Sequence, residues 1–368
     1  MKSATIVGSG ISGCMHAWAL KQKGWDVNVI EKAPITGGGM RTFFHAGHPH
    51  TYGPRHFLSP YQEAYEFLNK IIPLRDIKKI NISFQEDLDE FFFYPPHEQD
   101  IKRLPEASQI YREIEDLPEV VAGKNYEEYY IQRMGNTLYE RFSKEFNKKA
   151  WMLESNAEMD FGMAATIKRN PVESGEPHEF KDWYNCYPIE AEGYNRFFDF
   201  CFDGCTVLTS TTIVNFDIDN SSVELADGGR IKSDIIVSTT SPDVLMDNQY
   251  GELAYMGREM YKMVLPIESV LPKDTYFLYY PSPSVGQTRI VEYKKFTQHK
   301  SPNTLLILEV PSRKNKLYPM MIQKEVDKAQ QYIDALPDHV FSVGRMGTYR
   351  YIDFDDIILE GFKFRDSL

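Results

Sequence analysis

An α/β chain is expected, with one mainly parallel sheet, a helical insertion and a second, antiparallel sheet. Three observations lead there. A strand–glycine turn–helix–strand pattern occupies the first 31 residues, helical spacing broken by Pro-containing turns dominates 95–165, and strands fill most of 260–310. With 368 residues, 42% of them apolar, and a mean hydropathy of −0.43, the chain suits a soluble protein of two layers plus a smaller covering unit.

Residues 3–8 are a short apolar run that reads as a buried first strand rather than a leader segment. It runs into Gly8-Ser9-Gly10-Ile11-Ser12-Gly13. Gly8 suits the tight turn, Gly10 lets backbone N–H groups approach a pyrophosphate, and Gly13 lets the following helix pack on the sheet. That helix spans 11–23, with Ile11, Ala17 and Leu20 on one face and Gly24 as its stop. Residues 26–31 alternate as a second strand ending at Glu31, 18 residues beyond Gly13, where a carboxylate reaches ribose hydroxyls. The unit is Rossmann-like and its two strands should be parallel.

Helical spacing recurs at 61–71, 106–116, 126–145 and 158–168, interrupted by an extended, Phe-rich stretch over 81–94. A helix follows Gly193 to residue 202, then short strands at 207–208, 213–217 and 222–225, with a turn at Asp227-Gly228-Gly229. Residues 231–238 should return to the parallel sheet, because Ile235-Ile236-Val237 is apolar on both faces. Strands fill most of 260–310, a polar helix 322–336, and a last strand 338–344. The chain is therefore divided into a Rossmann-like domain (1–80, 193–245 and 338–368), a helical insertion (95–165) and an antiparallel-sheet substrate domain (81–94, 166–192 and 246–337).

A net charge of −12 and a pI of about 5.3 argue against nucleic acid as a partner. No run approaches the ~20 apolar residues of a membrane helix. Cys14, Cys186, Cys201 and Cys205 form no Cys-x-x-Cys pair, so reduced, partly buried thiols in a cytoplasmic protein are expected. His45, His48 and His50 lie in a Gly/Pro-containing turn without a nearby carboxylate or Cys, and read as a solvated loop rather than a metal site. The 14% aromatic content fits either a ring-lined cleft or an aromatic core.

The dinucleotide is read as FAD rather than NAD. Lys32-Ala33-Pro34-Ile35-Thr36-Gly37-Gly38-Gly39-Met40-Arg41 follows the ribose acid directly, and such glycines suit a loop pressed against a flavin's ribityl and pyrophosphate region. Val343-Gly344-Arg345, between a strand and a helix, offers another close backbone approach and a cation.

With these features the chain resembles the UDP-galactopyranose mutase family, part of the wider amine-oxidase-like flavoprotein group. The resemblance runs through Tyr52-Gly53-Pro54, Trp151 after Phe146-Asn147-Lys148-Lys149-Ala150, and Ile167-Lys168-Arg169-Asn170-Pro171-Val172. It continues in Thr288-Arg289-Ile290-Val291-Glu292-Tyr293-Lys294, Leu308-Glu309-Val310-Pro311, Tyr318-Pro319, and Gly344-Arg345 through Tyr349-Arg350-Tyr351-Ile352-Asp353. It implies a non-redox reaction in which N5 of a reduced FAD bonds the anomeric carbon of a nucleotide sugar, displaces the nucleoside diphosphate, and allows pyranose and furanose forms to interchange. Arg289 then matches a diphosphate arginine, Tyr318 and Tyr351 phosphate-contacting tyrosines, Trp151 a wall of the sugar site, Glu309 an active-site acid, Asp353 an acid near the substrate, and Arg345 a flavin-side arginine. Cofactor contacts fall on Gly8, Gly10, Ile11, Ser12, Gly13, Glu31, Lys32, Gly38, Gly39, Met40, Arg55, His56, Gly344, Arg345, Ile352 and Asp353. Substrate contacts fall on Arg169, Trp183, Tyr184, Arg289, Tyr318 and Tyr351, and no metal is expected.

Without the family, a guanidinium for a diphosphate, hydroxyls for phosphate oxygens and an indole wall make the same chemical sense. The alternatives are a surface ion pair of Arg289 with Glu292, and core roles for Trp151, Tyr318 and Tyr351. Two positions depart from the family. Glu173 stands where a mobile-loop arginine is usual, and Leu58 where a histidine lies beside the flavin, which makes Arg55 and His56 shifted candidates for flavin or substrate contacts. NAD(P)H or another reductant and a homodimeric state stay open, as do an amine-oxidase-like redox enzyme and an FAD-retaining binding protein.

Overall fold

The protein, as a computed structural model, is described over residues 1–160, 172, 174–177, 180 and 182–368. A five-stranded parallel sheet carries the N-terminal motif, in the order Thr206–Leu208, Asp26–Ile30, Ser3–Val7, Ile235–Ser238, Val340–Ser342. Val7 leads into Gly8, whose φ of +90° turns the chain toward the helix Ile11–Gln22. That helix buries every residue from Ser12 to Leu20, so it is enclosed on all sides instead of showing one apolar face. The sheet covers one side and the C-terminal helix Phe354–Ser367 another. Gly361 makes the second contact close, since a Cβ there would stand 2.8 Å from Met15 Cε.

The expected strand 231–238 is two strands. Arg230–Lys232 completes an antiparallel meander with Ile213–Asp217 and Ser222–Leu225, and Ile235–Ser238 enters the parallel sheet. The switch occurs at Asp234, whose carboxylate accepts the Ser3 N–H at 2.7 Å and the Ser3 hydroxyl at 3.0 Å. The histidine turn is also different from its reading. Phe43–His45 and His48–His50 pair as a hairpin, and His48 and His50 are buried, with rings against His299 and Tyr293 at 5.1 and 5.9 Å. Burial pushes the His50 pKa down to about 4, so this ring is neutral above mildly acidic pH. All four cysteines are free, and Cys14, Cys186 and Cys201 are buried.

The second sheet has seven strands: Tyr318–Pro319, Tyr255–Leu265, Thr304–Ser312, Arg289–Glu292, Thr275–Tyr279, Ile80–Gln85 and Glu90–Phe93, in spatial order. It is mixed rather than wholly antiparallel, because Thr275–Tyr279 runs parallel to Ile80–Gln85. The stretch 81–94 is a hairpin rather than one strand, Ile80–Gln85 turning back into Glu90–Phe93.

Between the hairpin and the strand Tyr184–Pro188 lie the helices. The expected helix 126–145 is interrupted at Gly135 (φ +82°), with Tyr126–Met134 before it. Past the break, Glu113 accepts the Thr137 N–H at 2.7 Å and its hydroxyl at 2.7 Å, restarting the helix. The chain then winds as a π-helix over Tyr139–Lys144 and as an α-helix over Glu145–Trp151. The helix expected from 158 does not start there. Asn156–Glu158 is a single 3₁₀ turn, Asp160 bridges Asn125, and 161–168 lie outside the described residues.

Lys149 on this helix fastens the insertion to the sheet. Its ammonium donates to the carbonyls of Tyr280, Ser282 and Val285 at 2.7, 2.6 and 3.1 Å, ordering the loop that leads to Arg289. Lys149→Met should lower stability by roughly 1–3 kcal/mol, read as a fall in Tm, because carbonyls shielded by the helix lose their donor.

Candidate active site

The cofactor cradle is assembled from three backbone turns. A Cβ on Gly10 would meet no protein atom within 4 Å, so the space before the helix start is open, whereas one on Gly13 would stand 2.0 Å from the Gly8 carbonyl oxygen. Gly38 closes from the second loop, its Cβ position 3.3 Å from Gly10 Cα, and Gly344 from the third, its Cβ position 2.0 Å from Ser12 Oγ. Glu31 Oε2 accepts the Ser9 N–H at 2.8 Å and hydroxyl at 2.6 Å, and Oε1 accepts the Ala33 N–H at 2.8 Å. A carboxylate has about four acceptor positions, so about one is left for a ribose hydroxyl. Open space at Gly10, a helix N-terminus and this acid together fit a dinucleotide pyrophosphate and its ribose.

A second wall comes from one face of the seven-stranded sheet. Cross-strand registers place Tyr279 opposite Arg289, Arg289 opposite Glu309, and Glu309 opposite Met260. Side chains directly opposite share a face, and a period of two adds Arg258 to it. Arg289 Nε donates to Glu309 Oε2 at 2.7 Å, and Glu309 is 2% exposed. Burial works to lower the Arg289 pKa, but the Glu309 carboxylate outweighs it and holds the guanidinium charged. The alternative ion pair with Glu292 does not form. Glu292 is buried instead among the N–H groups of Val270 and Leu271 and the hydroxyls of Ser269 and Thr304.

The third wall is aromatic. Trp151 sets its edge against Tyr318 and Tyr351, with centroids 5.9 and 6.5 Å away, and the two tyrosines stack at 5.7 Å and 14°. Guanidinium groups face these rings: Arg345 lies 4.8 Å from Tyr318 and 5.0 Å from Tyr351, and Arg258 lies 5.4 Å from Tyr318 and 6.0 Å from Trp151. Arg345 is oriented by the Ile352 carbonyl, at 2.9 and 2.7 Å, and by Asp353, at 3.1 Å. Arg258 is set by its neighbours, since Tyr52 and Asn315 both donate to its carbonyl, at 2.7 and 2.9 Å. Burial acts to raise the Tyr318 pKa, yet the fields of Arg55, Arg345, Arg258 and Arg289 outweigh it and lower it.

These walls enclose one cavity of about 480 Å³, reached by Gly10, Ile11, Ser12, Arg55, Trp151, Arg258, Arg289, Tyr318 and Arg345 among others. That size lies within the roughly 300–1,000 Å³ of small-molecule sites. A sequence family described as UDP-galactopyranose mutase matches residues 141–351, and a second, the NAD(P)-binding Rossmann-like domain, matches 6–71.

The chain belongs to the UDP-galactopyranose mutase family.

It is thereby a flavoprotein isomerase by kind. Among curated relatives, a probable UDP-galactopyranose mutase of Klebsiella pneumoniae is 25% identical over 395 residues, spanning 100% of this chain and 94% of its own. A dTDP-fucopyranose mutase of Escherichia coli is 23% identical, spanning 99% and 97%. A crystal structure of reduced UDP-galactopyranose mutase superposes with a TM-score of 0.82 at 16% identity, covering 100% and 95%, and so shares the fold.

Most of the residues that carry the resemblance to the mutase family meet at the cavity. Trp151, Trp183, Arg289, Glu309, Tyr318, Tyr351, Asp353 and Arg345 line it, as do Ile11, Ser12, Gly39, Met40, Arg55 and His56. Gly8, Gly13, Gly38 and Gly344 shape its cradle from behind, and Ile352 contributes its carbonyl to Arg345. Two expected contacts fall elsewhere. Lys32 is exposed beyond the cradle, and Tyr184 turns away from the cavity to stack on Tyr65 at 4.2 Å, since neighbours along a strand face opposite sides. Arg169 and Glu173 lie outside the described residues. Arg258, Lys79 and Phe180 also line the site and were not singled out from the sequence. Arg258 had no local signal; only the register of Tyr255–Leu265 against Thr304–Ser312 brings it in.

Proposed function

We propose that the chain is a flavin-dependent nucleotide-sugar mutase, interconverting pyranose and furanose forms of a UDP-galactose-like diphospho-sugar. The observation that carries this reading is the gathering of Arg55, Arg258, Arg289 and Arg345 with Tyr318 on one cavity beside a dinucleotide cradle, in a chain whose overall charge is −12. Such a concentration of guanidinium groups suits two adjoining phosphates.

In this reading the cradle residues Gly10, Ile11 and Ser12 present the helix N-terminus to the FAD pyrophosphate, and Glu31 takes a ribose hydroxyl. Arg345, held by Ile352 and Asp353, stands on the flavin side. When bound and reduced, the flavin supplies the nucleophile for the anomeric carbon. Arg289 neutralises the diphosphate as it leaves, and its pairing with Glu309 fixes the guanidinium plane beforehand. The Tyr318 and Tyr351 hydroxyls donate to phosphate oxygens. Trp151 closes the sugar side against water, and Trp183 stacks the base. Glu309 and Asp353 are the acids available to sugar hydroxyls.

Dithionite-reduced protein incubated with UDP-galactofuranose should yield UDP-galactopyranose, separated chromatographically. No conversion of UDP-galactofuranose or of dTDP-fucofuranose would contradict the proposal.

A further inference from the structure

Three of the four arginines around Tyr318 are already engaged by the protein. Arg289 is paired with Glu309 at 2.7 Å, Arg345 donates to Ile352 and Asp353, and Arg258 donates to the Gly257 carbonyl at 2.7 Å while facing two rings. Arg55 is different. Its Nε is buried, and no acceptor meets it among the described residues. Its Nη2 lies 3.7 Å from the Cβ positions of both Gly39 and Gly53, so the guanidinium rests at contact distance between these two glycine turns. A shielded N–H without an acceptor is costly, and at a cavity wall an anionic ligand is one group that can complete it.

The anion that completes it is narrowed by position. The cofactor's phosphates are served by the helix start at Gly10–Ser12, where backbone N–H groups are free to point outward. The turn that carries Arg55 is fastened to the sheet wall: the Tyr52 hydroxyl donates to the Arg258 carbonyl at 2.7 Å, and the Gly53 Cβ position lies 3.7 Å from both Arg55 Nη2 and Met260 Cε, on the face that carries Glu309 and Arg289. A planar fork of donors lining the same cavity as the Tyr318 hydroxyl and the Arg289–Glu309 pair suits a diphosphate.

We infer that Arg55 is a substrate-binding residue that holds the diphosphate of the nucleotide sugar together with Arg289 and Tyr318, which assigns it to the substrate of the two contacts, flavin or substrate, open to it in the sequence. The inference rests on the nucleotide-sugar reading. It also means that a second diphosphate cation beside Arg289 comes from the turn between Tyr52 and the strand Phe57–Ser59, in a chain whose sequence has Glu173 in place of the usual mobile-loop arginine.

The test uses UDP and uridine as probes of the flavin-bound protein, with affinities from calorimetry and ligand-detected NMR. Arg55→Met should weaken UDP binding by about 10–100-fold, the span of a charged hydrogen bond, and leave uridine affinity and flavin per chain unchanged. Arg55→Lys should recover part of the loss, keeping the charge without the fork. Unchanged UDP affinity in both variants would overturn the inference, as would a loss of flavin that accounts for the lost UDP binding. A wild-type holoprotein that ignores UDP would overturn the nucleotide-sugar reading as well.

Discussion

Arg289→Met should lower kcat/KM for the nucleotide sugar by roughly 10²–10³-fold if, as proposed, its hydrogen-bonded charge meets the diphosphate, since such a charge is worth several kcal/mol when removed. It should also destabilise the fold by roughly 2–3 kcal/mol, discounted for the 20% exposure of the Arg289 side chain. The second effect arises from Glu309. That carboxylate is 2% exposed, its Oε1 is already without a hydrogen-bond donor among the described residues, and Oε2 would lose the Nε donor at 2.7 Å. The double variant Arg289→Met/Glu309→Gln isolates the stability effect. Removing the stranded charge should return most of the Tm but none of the activity. Recovery of activity with stability would show that Arg289 acts only as a structural partner of Glu309.

The glycine turn carries the second large effect. Gly10 has φ −66°, ordinary for any residue, and a Cβ there touches no protein atom, so Gly10→Ala should fold normally. Its methyl group would occupy the space through which a pyrophosphate approaches the helix N–H groups, so the variant should purify nearly colourless, with flavin affinity lower by about 10–100-fold. Gly13→Ala should fail earlier, at the fold itself, since its Cβ would stand 2.0 Å from the Gly8 carbonyl. The ratio of flavin to protein absorbance, read with a circular-dichroism melt, distinguishes these outcomes. A Gly10→Ala protein that keeps its full flavin would place the pyrophosphate elsewhere.

What was legible in the sequence was local. The turn from Gly8 to Gly13, the helix behind it and Glu31 lie within 24 residues, and their spacing alone specifies how they meet. Arg289, Glu309, Tyr318 and Tyr351 were legible through their resemblance to a family. The pairing of Arg289 with Glu309 instead of Glu292 was not, because it depends on which strands adjoin. Arg258 was hidden for the same reason. Tyr184 and Trp183 are neighbours in sequence, yet only Trp183 lines the cavity, and the choice is made by the pairing of Tyr184–Pro188 with Phe57–Ser59. The histidine turn misled because three histidines with Gly and Pro look polar, whereas the His48 and His50 rings are buried against His299, Phe43 and Tyr293 and only His45 of the three is exposed.

The central claim is that this cavity uses a flavin in a reaction with no net oxidation. Its most direct test compares one preparation in two redox states under anaerobic conditions, with UDP-galactofuranose supplied to each and the pyranose product quantified. The account predicts turnover with the dithionite-reduced protein, none with the oxidised protein, and no net change in flavin oxidation state across many turnovers. Conversion that proceeds equally with oxidised flavin would contradict it, as would an inert reduced form alongside peroxide release from amines in air.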